Sequence, residues 1–147
     1  VLAQLEPLAF SRAWRASLSA PPSRDHRLLV ACAGPQVVGF LALGPSPDPD
    51  AEPHWREVLA GGVHPDARGA GHGSRLLQAA ADTARERGGT ALTTWVPDQD
   101  EATAQFLVAA GFAPDGAHRE RVTSPDGGTT PERRFVTTIV EPVAEGA

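Results

Sequence analysis

Between a strand-like apolar run and a helix-like one lies Arg68-Gly69-Ala70-Gly71-His72-Gly73-Ser74, and this stretch constrains the fold more than any other. Glycines at 69, 71 and 73 let the backbone bend sharply and turn N–H groups outward with no side chain in the way. A helix starting there adds the positive end of its dipole, so the turn is built to bind phosphate. Ser74 can cap that helix or donate to a phosphate oxygen, and Arg68 brings a positive charge to the rim. A tight connection with no ligand is the plain alternative.

The flanking pattern fixes the frame. Pro7 to about Leu18 reads as a helix that Pro21-Pro22 ends. His26–Ala33 and Val37–Leu43 are β-rich runs around Gly34-Pro35, a hairpin, and Gly44 to Asp50 reads as loop. Arg56 to Val63 is a third strand, with Gly61 and Gly62 marking a bulge or a close approach by another backbone or a ligand. Ser74 to Arg87 is a helix with Leu76, Leu77, Ala80, Ala81 and Ala84 on one face, stopped by Gly88-Gly89. Thr90–Val96 is a strand. Asp100 to Ala110 is a second amphipathic helix, and strands near His118–Thr123 and Arg133–Val140 follow. The order predicts one mixed α/β (α+β) domain around a single sheet.

Composition narrows the function. The 147 residues suffice for one domain with its own core, and no repeat is visible. A net charge of -5 argues against nucleic acid as the main partner and leaves a cationic substrate open. All 13 basic residues are arginine, so a P-loop, which needs lysine, is excluded. A dinucleotide fold places a third glycine where Ser74 stands, and needs repeated parallel βαβ units. The single cysteine, Cys32, sits in the run Leu28–Ala33 and reads as a buried, inert core thiol. One cysteine allows no internal disulfide, and no apolar run reaches membrane-spanning length. A cytoplasmic protein that does not contact the membrane is the expectation. His64 and His72 lack partners at ligand spacing, so no metal is expected.

Val63-His64-Pro65 followed by Arg68 through Leu77 closely resembles the coenzyme A signature of the GNAT acetyltransferase superfamily. Trp95-Val96, then Ala104-x-Phe106 and Gly111-Phe112, resemble the next strand and helix of that family. The resemblance implies a GNAT fold: a mixed, mostly antiparallel sheet, splayed at the coenzyme A site and flanked by helices. It implies acetyl-CoA as co-substrate. Its pyrophosphate would rest on Arg68, Gly69, Ala70, Gly71, His72, Gly73 and Ser74, and its pantetheine on the backbone at Gly61 and Val63, with Asp100 also among the cofactor-binding residues. It implies an amine acceptor, small molecule or peptide, and it allows a homodimer.

Acyl transfer to an amine needs a base, because free alkylamines are mostly protonated at neutral pH. Glu57 matches a glutamate that many relatives use so; its alternative is a solvated strand-edge carboxylate. Glu52, Asp98 and Asp100 are substitutes, and Asp100, where relatives often carry asparagine, reads first as a helix N-cap. The resemblance puts the oxyanion donors on the backbone from Gly61 to Val63.

Two features depart from the family. Leu107 stands where relatives usually place the tyrosine that protonates the leaving thiolate, and the chain has no tyrosine. A coenzyme A thiol has a pKa of about 8.5, so water can do this, at a cost on the order of 10²-fold. The chain also leaves almost nothing, before the helix at Pro7, for the strand and helix that normally open the family. Either residues precede Val1 or the acceptor pocket is open. Both departures keep a second reading in play, an acyl-CoA-binding sensor or scaffold with little catalysis, and a pure protein-interaction domain is a third.

Overall fold

The computed structural model describes residues 2–4, 12 and 25–139. In chain order the elements are β1 (Leu2–Gln4), β2 (Arg27–Ala33), β3 (Gln36–Pro45), β4 (Trp55–Val63), α1 (His72–Glu86), β5 (Ala91–Pro97), α2 (Glu101–Ala109), β6 (Ala113–Val122) and β7 (Thr129–Thr138). A 3-10 turn, Pro65–Ala67, joins β4 to the glycine run. The expected helix from Pro7 to Leu18 lies outside the described residues, apart from Arg12.

The strands form one sheet in the order β2-β3-β4-β5-β7-β6, with β1 paired to β4. The pairs β2–β3, β3–β4, β5–β7 and β6–β7 are antiparallel, while β4–β5 and β1–β4 are parallel. This is the mixed, mostly antiparallel sheet that the sequence implied.

The splay is visible in the register. β4 pairs with β5 only from Trp55 to Glu57, against Ala91 to Thr93. Beyond that seam β5 continues on β7 alone, while β4 leaves and meets β1 at Gly61–Val63. The glycines therefore mark a close backbone approach. The irregularity of β4 lies just before them, where Ala42 faces Ala60 but Leu43 faces Val58.

Helices α1 and α2 cover one face. Leu76, Leu77, Ala80 and Ala84 of α1 and Ala104 and Leu107 of α2 pack on Leu41, Leu43, Val58, Leu92, Val96 and Phe135. Alternation along a strand sends Glu57 and Trp95 to the opposite face. Gly89 ends α1 tightly, its N–H reaching the Ala84 carbonyl at 2.7 Å.

Four expectations need correction. Cys32 is exposed, not buried: β2 is an edge strand, and its register slips between Ala31 and Cys32, turning the thiol outward. α1 begins at His72 rather than Ser74, because Gly71 makes the turn. β3 runs on to Pro45, into what read as loop. β6 starts at Ala113, not near His118. Its first part is disguised by Pro114-Asp115-Gly116, where the pairing is interrupted and Gly116 has φ 90°. A three-residue strand at Leu2–Gln4 also stands where the sequence left no room for one.

Candidate functional site

Two clusters emerge, one on each side of the splay. The first is the glycine turn. His64 opens it, its Nδ1 accepting the Asp66 N–H at 3.2 Å, a backbone-capping role. Gly69 and Gly71 have φ of 85° and 83°, the left-handed region that side-chain-bearing residues avoid. Gly71 is the N-cap of α1 and supplies no side-chain hydrogen bond. The first N–H groups of α1 are thus left for an outside acceptor. By contrast α2 is capped by its own sequence: Asp100 accepts from the Thr103 N–H at 3.1 Å and from its hydroxyl at 2.7 Å.

The uncapped turn opens into a cavity of about 350 Å³, lined by Gly62, Val63, Ala67, Arg68, Gly69, Gly71, His72, Gly73 and Ser74, with Ala102, Thr103 and Phe106 of α2 opposite. Of the residues singled out from sequence, Val63, Arg68, Gly69, Gly71, His72, Gly73 and Ser74 come together on this wall. Ala70, Gly61 and Asp100 do not line it. Asp100 is turned into its cap and reaches the cavity only through Thr103, which the sequence did not suggest. Ser74 lies within the first turn of α1 and lines the cavity rather than capping. Gly73 sits under Phe106, whose ring a Cβ there would meet at 3.4 Å.

The second cluster surrounds Glu57, which is 4% exposed and accepts a hydrogen bond from Ser46 Oγ at 3.2 Å. Burial, then the Asp48 carboxylate, push its pKa up to about 6. The Ser46 hydrogen bond, and after it the Arg119 charge, oppose the rise. Asp48 accepts from Trp95 Nε1 at 3.0 Å and from Arg134. Arg134, itself 4% exposed, also bonds Asp50 through two nitrogens at 2.8 Å and Asp115 at 2.7 Å. Its guanidinium lies 5.1 Å from the Trp55 ring centre and 5.6 Å from that of Trp95. Arg119 stacks on Trp95 at 4.4 Å and donates to the fully buried Glu132 at 2.8 Å.

Of the four candidate bases only Glu57 is buried; Glu52 and Asp98 are exposed and Asp100 is bound in its cap. Ser46, Asp48, Arg119 and Arg134 were not singled out from sequence. The signal that could have found them is the density of Asp and Pro in the β3–β4 loop facing an arginine-rich final hairpin. Leu107, in the tyrosine position, is fully buried in the core. Among the described residues no three His, Cys, Asp or Glu side chains converge as metal ligands.

The raised Glu57 pKa has a consequence for stability. A carboxyl whose folded pKa exceeds its unfolded value of 4.5 supports the fold below that value, and the support is lost as pH rises through about 6. The neutral isostere Glu57→Gln should therefore be more stable than wild type above pH 6, by about 1 kcal/mol after discounting for partial hydration. Its advantage should vanish below pH 4.5. Thermal unfolding of both proteins across that range checks it.

The family model for the acetyltransferase (GNAT) family matches residues 3–112. No curated protein matches the chain significantly. Among solved structures it is similar to the ribosomal-protein-S18-alanine N-acetyltransferase of Escherichia coli, with 16% identity and TM-score 0.67, over 99% of this chain and 96% of that one. It is similar to yncA of Salmonella typhimurium, solved with its cofactor acetyl-CoA, at 23% identity and TM-score 0.66, over 95% and 76% of the two chains. The ribosomal-protein-alanine N-acetyltransferase of Brucella melitensis is 25% identical with TM-score 0.65, over 88% and 74%. With three quarters of its length inside the family model and the splayed sheet and glycine turn in place, the chain belongs to the GNAT acetyltransferase family.

Proposed function

We propose that this protein transfers an acetyl group from acetyl-CoA to an amine, by direct attack in a ternary complex. The observation that carries the reading is the uncapped start of α1, opening after two left-handed glycines into a cavity with Arg68, His72 and Ser74 on its rim. Backbone donors and an arginine at a helix N-terminus suit a pyrophosphate. The pantetheine arm would pair with the β4 edge at Gly61 and Val63. Leu2–Gln4 hold that same edge here, so acetyl-CoA binding requires β1 to release it.

In the proposed step Glu57 takes the proton of the incoming ammonium, freeing its lone pair. The nitrogen attacks the thioester carbonyl and the C–N bond forms; the nitrogen gives its second proton to water, and the C–S bond breaks. Backbone N–H groups between Gly61 and Val63 receive the oxyanion, and the released thiolate takes its proton from water, since Leu107 offers none. The acceptor is a small-molecule or peptide amine.

Leu107 favours a second reading, an acyl-CoA-binding module that turns over little. Thermal unfolding with and without acetyl-CoA, followed by thiol release over a panel of small amines and peptide N-termini, separates the two. Saturating acetyl-CoA at about 100 times Kd should add roughly 2.7 kcal/mol. Gly71→Ala, forced into a left-handed φ, should lose about 1–2 kcal/mol of stability and most of the acetyl-CoA effect. Absence of any stabilisation by any CoA ester would sink both readings. Stabilisation with no thiol release from any amine would leave the sensor.

A further inference from the structure

The loop between β3 and β4, residues 46–54, contains three prolines and no leucine, isoleucine or valine, so apolar packing does little to hold it. Its backbone bonds are few: Ala51 N–H to the Asp48 carbonyl, Trp55 N–H to that of Glu52, and at the two ends of the loop Ser46 N–H to the Trp55 carbonyl and Thr90 N–H to that of His54. Yet two of its side chains sit against Glu57, and one of them, Asp48, is only 8% exposed. What holds the loop comes from the far end of the chain. Arg134 on β7 donates to Asp48 and Asp50 through Nη1 and to Asp50 again through Nη2, across 86 and 84 positions. Its remaining nitrogen, Nε, is taken by Asp115 on β6, which leaves the guanidinium no freedom to turn. A fork that binds two carboxylates of one loop and one of a neighbouring strand is a clamp, and a lysine could not reproduce it.

We propose that Arg134 is a positioning residue for Glu57: by clamping the β3–β4 loop to β7 it holds the Ser46 hydroxyl and the Asp48 carboxylate against the Glu57 side chain. Asp48 is fixed from three sides, by Arg134, by Trp95 Nε1 and by its own N–H, which donates to Ser46 Oγ at 3.3 Å. The same Ser46 oxygen donates onward to Glu57. One line of hydrogen bonds thus runs from the clamp to the carboxyl. Among the described residues the charged groups facing Glu57 are Asp48 from the loop and Arg119 from β6. The Asp48 charge, which raises its proton affinity, and the Ser46 contact reach Glu57 only while the loop stays in place.

The inference rests on Glu57 as the proposed base, but its test does not need an acceptor. The Glu57 side-chain carboxyl is titrated by ¹³C NMR in protein labelled at glutamate, its resonance assigned by its loss in Glu57→Gln. Arg134→Met should free the loop, hydrate Glu57 and lower its titration midpoint by about one unit, toward an ordinary glutamate. Asp50→Asn, at a side chain 64% exposed, should keep the fold, loosen the clamp and lower the midpoint by part of that amount. Asp48→Asn keeps one acceptor oxygen, which can stand where Trp95 Nε1 and Arg134 both reach, while removing the charge, and should lower the midpoint with the loop still closed. A midpoint unchanged or raised in folded Arg134→Met, or in Asp50→Asn if Arg134→Met does not fold, overturns the clamp. Thiol release by Glu57→Gln is the separate control: if it equals wild type, the base assignment fails while the titration still decides the positioning.

Discussion

Glu57→Gln should reduce acetyl-CoA-dependent thiol release by about 10²- to 10⁴-fold at neutral pH, leaving acetyl-CoA stabilisation of the fold intact. Glutamine preserves the acceptor that Ser46 Oγ donates to and nearly the same volume, so packing around β4 should be unchanged. What it removes is the ability to take a proton. The wild-type profile should follow the same group: activity low while Glu57 is protonated, rising as pH passes through about 6. That limb should be missing from the residual activity of Glu57→Gln. A rate within a few-fold of wild type, with the limb preserved, would remove Glu57 from the chemistry and move the base to another group.

Phe135→Ala should destabilise the domain by about 3–5 kcal/mol, a large part of the total for a chain of this size. Phe135 is 1% exposed and lies on β7 opposite Thr94 of β5, within the cluster that joins both helices to the sheet. The face under α1 and α2 has no other large aromatic of comparable burial on β7, so deletion leaves a void that the antiparallel neighbours cannot close. Arg133, whose guanidinium lies 5.0 Å from the ring centre, also loses its support. Urea unfolding checks this; a loss under 1 kcal/mol would mean that the core relaxes around the gap.

The local parts of this protein were readable because local chemistry determines them. Glycines at 69, 71 and 73 before an amphipathic run leave few backbones open to the chain, and α1, the turn and the β2–β3 hairpin followed. Asp100 read as a cap and caps α2. Glu57 was singled out by resemblance, and burial then separated it from Glu52 and Asp98. The failures have physical causes. Cys32 was misplaced because an apolar run looks alike on an edge strand and a central one, and a single register slip inverts the face. β6 was shortened because Pro114 and Gly116 are turn residues that here interrupt a strand. The clamp on Asp48 and Asp50 was invisible because its partner, Arg134, comes from a strand more than eighty positions later. Pairing over such separations is decided by the whole topology and leaves no mark in a short window.

The narrow seam between β4 and β5 has a consequence for how the molecule breathes. Three residues of parallel pairing join a β2–β3–β4 meander to the antiparallel strands β5, β7 and β6. Each half keeps its own long antiparallel ladders, so backbone pairing is thinnest along the seam, and the two halves are held there by the core beneath α1 and α2 and by the Arg134 clamp. In native-state amide hydrogen exchange the paired amides of the β4–β5 seam should exchange faster than those of the β3–β4 and β5–β7 ladders. A sheet joined this way can widen or narrow at its seam while the ladders of both halves stay paired.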